Sequence, residues 1–212
     1  MITRTSKKNI EHILEKNKNW KVLDIGCGYR AHKKASVIAD IQDFSNFYKN
    51  KKFVQIKEKK FVKIEGKNLP FKDKEFDFVI ASHVIEHIDN FEFFIKELER
   101  ISSKGYIELP SRLGDNLVFE NKNDHIWWFC FDDVTNQLIA SKKNQLIDPF
   151  ITVSTAKLLE EIFRESLVVE LAWEEKIDYK INNQIRQENF EKISFFKLFR
   201  KYLSKKIRTI FK

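Results

Sequence analysis

The run Val22-Leu23-Asp24-Ile25-Gly26-Cys27-Gly28 is an apolar strand that ends in a carboxylate and two glycines. At the carboxyl edge of a parallel sheet such an ending suits ligand binding, because glycine has no Cβ and lets the backbone turn sharply against a bound molecule. Gly26 to Ala31 also fits the G-x-G-x-x-G/A dinucleotide fingerprint. A dinucleotide site, however, needs a helix N-terminus behind the glycines for the pyrophosphate, and an acid about 20 residues on for the ribose. Here the next strand-like run, Ser36 to Asp40, begins about eight residues after Gly28 and brings its terminal acid, Asp40, early. The spacing favours a ligand without pyrophosphate.

A second motif follows in Leu69-Pro70-Phe71-Lys72-Asp73-Lys74-Glu75-Phe76-Asp77-Phe78-Val79-Ile80, continued by Ser82-His83-Val84-Ile85-Glu86-His87-Ile88. With the glycine loop before it, in this order and at this distance, the stretch from about Trp20 to Pro110 resembles the class I S-adenosylmethionine-dependent methyltransferases. Within them it resembles the type 11-like group that carries an LPF-x-D-x-x-FD signature. The resemblance implies that Asp24, Gly26 and Gly28 line the methionine end of the cofactor and that Asp40 accepts hydrogen bonds from the ribose hydroxyls. It places Glu65, with Gly66 beside it, near the adenine amino group, and Ser82 and His83 beside the sulfonium. Arg30 stands where many relatives have another glycine.

Methyl transfer from a sulfonium is an in-line displacement with a good leaving group in place, so the protein mainly has to hold donor and acceptor in line. A hydroxyl acceptor gains from a nearby base. His125, in Asp124-His125-Ile126-Trp127-Trp128-Phe129, is the first candidate, because it lies among aromatics expected over the acceptor side. His83 is the second, and Glu108, before Pro110 and Ser111, the third. The alternatives are a satisfied histidine in a packed aromatic lid and a strand-end carboxylate bonded to backbone or solvent. His87 reads as structural. Cys27 and Cys130 form no CxxC spacing, and the sequence suggests no metal site or disulfide framework.

The elements that must position these residues follow from periodicity. Ser6 to Lys16 has helical spacing, and Trp20 to Ile25, Ser36 to Asp40, Phe61 to Glu65, Phe76 to Ala81 and Gly105 to Leu109 read as strands. Asn90 to Ile101 reads as a helix, and strands interleaved with helices imply a mostly parallel sheet. The expected fold is α/β: a doubly wound, Rossmann-like, seven-stranded sheet whose antiparallel edge pair comes from Leu167 to Trp173 and Lys176 to Ile181. An insertion of about 111–150 follows the fifth strand, polar and turn-rich over Ser111 to Asp124, with a hairpin folded at Lys142 to Asn144. A helix from about Thr155 to Arg164 precedes the edge pair. The methyltransferase domain is expected over 1–187 and a basic amphipathic helix over 188–212.

The net charge of +8 is concentrated in that tail, where Lys192 to Lys212 holds eight basic residues and no acidic one. The remaining 31 basic residues match 31 acidic ones, so the body is formally neutral and offers no basic groove. Phe195, Phe196, Phe199, Tyr202, Leu203, Ile207 and Ile210 recur at three- and four-residue steps, the pattern of a helix with a cationic face that rests on an anionic membrane, a partner protein or the domain itself. No signal peptide or apolar run of about 18 residues is seen, and a reducing cytoplasm suits the cysteines. The expectation is a cytoplasmic enzyme, peripheral at the inner face of the membrane if the tail attaches there. It would methylate a small molecule or glycan precursor, preferably at oxygen, with S-adenosylmethionine as donor and S-adenosylhomocysteine as product. The rival readings are a nucleic-acid methyltransferase and a non-catalytic module that kept the fold.

Overall fold

A computed structural model describes residues 1–28, 30–41, 59–65, 68–182 and 191–210. In chain order the elements are β1 (Ile2–Arg4), α1 (Lys7–Lys16), β2 (Val22–Ile25), β3 (Val37–Asp40), β4 (Lys60–Lys63), β5 (Phe78–Ser82) and a single 3-10 turn (Ile85–His87). There follow α2 (Phe91–Ile101), β6 (Lys104–Pro110), α3 (Arg112–Leu117), α4 (Asn121–Asp124), β7 (Trp127–Asp132), β8 (Gln137–Lys142), α5 (Val153–Leu167), β9 (Val168–Glu174), β10 (Tyr179–Ile181) and α6 (Phe195–Ile210).

Seven strands form the main sheet in the order β1-β9-β6-β5-β2-β3-β4, with β6, β5, β2, β3 and β4 parallel. The central strands are short apolar runs buried on both faces, as a parallel sheet covered by helices requires. Alternate residues divide between two cores. Leu23, Ile25, Val79 and Ala81 pack with Phe91, Phe94 and Leu98 of α2, whereas Val22, Phe78 and Ile80 pack with Ile10 and Leu14 of α1. Side-chain caps start both helices: Ser6 accepts the N–H of Asn9, and Asn90 accepts that of Phe93.

The signature segment before β5 is clamped by α2. Glu97 accepts the N–H of Leu69 at 2.8 Å, and Arg100 donates to the carbonyls of Leu69 and Phe71 and to Asp73. The motif thus fixes a loop against the helix that follows the site, while Pro70 and Phe71 supply a rigid, apolar turn.

The antiparallel edge pair is present, with a different second member from the one expected. β9 runs antiparallel to β6 on one side and to β1 on the other, Ile2 facing Trp173. Lys176 to Ile181 instead contributes β10, which pairs parallel with β8 in a separate three-stranded sheet, β10-β8-β7. The hairpin is also displaced. β7 and β8 turn at residues 133–136, where Asp132 accepts the N–H groups of Val134 and Thr135 and Asn136 adopts φ +51°, rather than at Lys142 to Asn144. The aromatic run is therefore the first hairpin strand. Its Trp127 and Phe129 stack edge-on against Phe91, joining this small sheet to the core over α2. The polar stretch before it forms α3 and α4.

Candidate active site

The carboxyl ends of β2 and β3 lie side by side, Ile25 paired with Ala39, and bring together the two acids expected at the cofactor. Asp24 and Asp40 are both buried. Asp24 accepts the N–H of His32 at 2.6 Å, and Asp40 accepts that of Gly28 at 2.8 Å. Burial pushes the Asp24 carboxyl up to about 7 against the His32 N–H, which pulls the other way. Burial first, then the charge of Asp24, pushes the Cys27 thiol up to about 12 and leaves it unsuited to nucleophilic work.

The two glycines differ in what they permit. A Cβ on Gly26, at φ +67°, would stand 2.3 Å from Cγ2 of Val84. On Gly28, at φ +51°, it would meet nothing within 4 Å among the described residues. The loop is thus pressed against the residues after β5 at one glycine and open at the other, a cradle suited to a ligand lying along the backbone. Residues 30–36 carry no helix, where the spacing left room for a short one at most, so no helix N-terminus waits here for a pyrophosphate. Glu65 is exposed just beyond β4, and Gly66 lies outside the described residues.

Past β5, Ser82 and His83 converge on Glu108 of β6. Ser82 donates to Glu108 at 3.0 Å, and His83, at φ +55°, bridges two acids, with Nε2 3.2 Å from Glu108 and Nδ1 3.3 Å from Glu86. Burial would lower the His83 imidazole, but the carboxylates of Glu108 and Glu86 outweigh it and hold it at about 10. Glu108 also accepts from Arg164 of α5, and the Tyr106 hydroxyl lies 2.6 Å from both Glu108 and Glu170, donating its one proton to either. Burial would raise Glu108, yet His83, Tyr106 and Arg164 hold it well below the usual carboxylate range. Glu108 is a saturated counter-ion that positions His83.

His125 is buried between α4 and β7, with its Nδ1 on Asp115 of α3. Asp115 is fully buried and takes in addition the Trp128 indole N–H at 2.5 Å and the Lys143 ammonium at 2.9 Å. Burial alone would raise its pKa; His125 and Lys143 reverse this and hold it low. The ring of His125 stands edge-on to that of His87, with centroids 4.5 Å apart. Ile126 donates its N–H to the carbonyl of Glu86, fixing the hairpin to the 3-10 turn. Glu86, Asp115, Tyr106, Arg164 and Glu170 were not singled out from sequence. Only Glu86, inside the quoted Ser82 to Ile88 run, had a motif to point to it.

Residues 23–107 match the family model of the methyltransferase domain. Over this segment the chain is similar to methyltransferase domains. The match spans β2 to β6 and so contains the glycine loop, both buried acids and the Ser82–His83 turn. The chain is also 33% identical over 113 residues to an uncharacterised protein of Methanocaldococcus jannaschii, covering 50% of this chain and 47% of that one. A second uncharacterised protein of the same organism is 37% identical over 59 residues, 26% of this chain and 29% of its own. The chain thus spans less than half the length of either relative. Among solved structures it is similar to a SAM-dependent methyltransferase from Aquifex aeolicus, with 14% identity, a TM-score of 0.42, and coverage of 77% of this chain and 87% of that one.

Proposed function

We propose that the chain transfers the methyl group of S-adenosylmethionine to an oxygen of a small-molecule or glycan-precursor acceptor. The observation that carries this reading is the pair of buried acids, Asp24 and Asp40, flanking a glycine loop that is open at Gly28. In this reading Asp24, Gly26 and Gly28 hold the methionine end, Asp40 the ribose and Glu65 with Gly66 the adenine, while Ser82 and His83 border the sulfonium. His83 is a cation at neutral pH, so it donates hydrogen bonds and does not act as a base. Glu108 keeps it in place. Proton removal from the acceptor falls to His125, whose Nδ1–H is given to Asp115 and whose Nε2 keeps a lone pair. Calorimetric titration with S-adenosylmethionine and S-adenosylhomocysteine, followed by methyl transfer to panels of hydroxylated small molecules, sugars and RNA, tests the proposal. Binding with transfer to the hydroxylated panels supports it. No binding to folded protein, or transfer to RNA with a steep salt dependence, would overturn it.

We further propose that 1–187 acts as the methyltransferase unit and that the basic tail rests on an anionic membrane surface in the cytoplasm. α6 exposes Phe196, Tyr202 and Ile207 beside its lysines and arginines, a combination suited to shallow burial among acidic headgroups. Among the described residues no helix is long and apolar enough to cross a membrane. Co-sedimentation with vesicles containing phosphatidylserine, lost on deletion of 192–212, is the expected result; sedimentation unchanged by the deletion would exclude it.

A further inference from the structure

The cluster behind His83 is built like a metal centre. Glu86, His87 and His125 each offer a donor atom, and these atoms lie within 4.8 Å of one another. Glu86 has no exposed surface, and among the described residues its carboxylate oxygens have no hydrogen-bond partner beyond the 3.3 Å ion pair of Oε1 with Nδ1 of His83. An ionised carboxylate taken out of water normally collects several hydrogen bonds, because its desolvation otherwise costs several kcal/mol. The ion pair with His83 offsets part of the charge, but that imidazole is shared with Glu108.

The two histidines are each oriented from behind. Nδ1 of His125 faces a carboxylate oxygen of Asp115, and Nδ1 of His87 lies 3.0 Å from the carbonyl oxygen of Asp124. Both partners are acceptors, so each Nδ1 carries a proton, and Nε2 is the nitrogen left for an ion to take. That is the arrangement in which metal-bound histidines are held, with the second ring nitrogen tied to a carboxylate or a main-chain carbonyl. The carboxylate in question is further locked by Trp128 and Lys143.

We infer that Glu86, His87 and His125 bind a divalent first-row transition ion. Two imidazole nitrogens and one carboxylate oxygen suit zinc, iron(II), cobalt(II) or manganese(II) better than calcium or magnesium. Three protein ligands leave at least one coordination position for an outside oxygen, as in catalytic rather than structural sites. Metal–ligand bonds of about 2.0–2.2 Å draw the donors closer than they now stand, and the exposed His87 side chain has room to make that adjustment. The fold assembles what the sequence keeps apart: His125 lies 38 positions after His87, in a hairpin fixed to the 3-10 turn by the Ile126 to Glu86 hydrogen bond. The ion site and the methyl-transfer proposal compete for one lone pair: with an ion on Nε2 of His125 that nitrogen could not take the acceptor's proton, so His125 would serve as base only in the metal-free chain, and a bound ion would supply Lewis acidity in its place.

The test uses untagged full-length protein stripped with a chelator and titrated with cobalt(II), whose visible absorption reports nitrogen and oxygen ligation, and with zinc in competition. One ion per chain is expected, with the bands abolished in His87→Ala and Glu86→Gln, and affinity reduced about 10–100-fold in Asp115→Asn. His87 is exposed and its replacement leaves the core untouched, so loss of binding in a variant with unchanged circular dichroism cannot be assigned to unfolding. Failure of the folded wild type to bind one equivalent, or undiminished binding in both ligand variants, would overturn the assignment. Binding of S-adenosylmethionine, measured on the same samples, reports separately on the methyltransferase proposal.

Discussion

Oδ2 of Asp40, the last residue of β3, accepts the main-chain N–H of Gly28 at 2.8 Å and so ties the end of one strand to the loop leaving its neighbour. The same carboxylate is the one proposed to hold the ribose. Hydrogen bonds to charged groups contribute about 1.5–3 kcal/mol. Asp40→Ala is therefore expected to weaken S-adenosylhomocysteine binding by roughly 10- to 150-fold in a calorimetric titration. Unaltered affinity would remove Asp40 from the cofactor site.

The two glycines of the loop should respond unequally to the same substitution. Both have positive φ, so alanine at either costs about 1–2 kcal/mol of backbone strain. Gly26→Ala adds a clash with Val84 and is expected to cost about 1–3 kcal/mol more in urea unfolding. Val84→Ala in the same chain should recover part of that difference. Equal losses for the two single variants would contradict the packing described for Gly26.

His83 should titrate far outside the ordinary histidine range. Its folded pKa, about 10, lies above the unfolded value near 6.5, so the stability it contributes is complete below about 6.5 and is lost as pH rises through about 10. In carbon-detected titrations its ring signals are expected to stay constant from pH 5.5 to 8.5, and Glu108→Gln should move the midpoint down. A wild-type midpoint near 6.5 would refute the double ion pair.

Asp115 anchors three groups at once. Removing it strands the Lys143 ammonium, which is almost wholly buried, and unties His125 and Trp128. Asp115→Ala is expected to cost about 3–5 kcal/mol in denaturant unfolding, the range for breaking a buried ion pair from one side. A loss below about 1 kcal/mol would mean that the side chains rearrange around the gap.

Three of the parallel strands, β2, β3 and β6, were legible because each is a largely apolar, buried run stopped by a glycine, an acid or a proline. β1 was not legible: with three residues and only Ile2 buried, it has no pattern of its own, and its place follows from pairing with β9. β10 was read as a strand but assigned to the wrong sheet, since nothing in Tyr179 to Ile181 distinguishes β8 from β9 as a neighbour. In the site, Asp24, Gly26, Gly28 and Asp40 could be found because they are close in sequence and governed by one loop. Asp115 lies in a stretch that reads as polar turns. The link between His87 and His125 exists only after the hairpin folds back, so its chemistry could not be read from spacing.

The pairing of Ile2 with Trp173 also bears on how the sheet comes together during synthesis. β1 must wait, unpartnered, until the ribosome has released β9, which separates it from β6. Closing so long a loop is entropically costly and slow, and in the interval the outer edge of β9 stays open to strands of other chains. The parallel core from β2 to β6 has no such dependence. Its glycine loop and both buried acids can be in place before the border of the sheet is sealed.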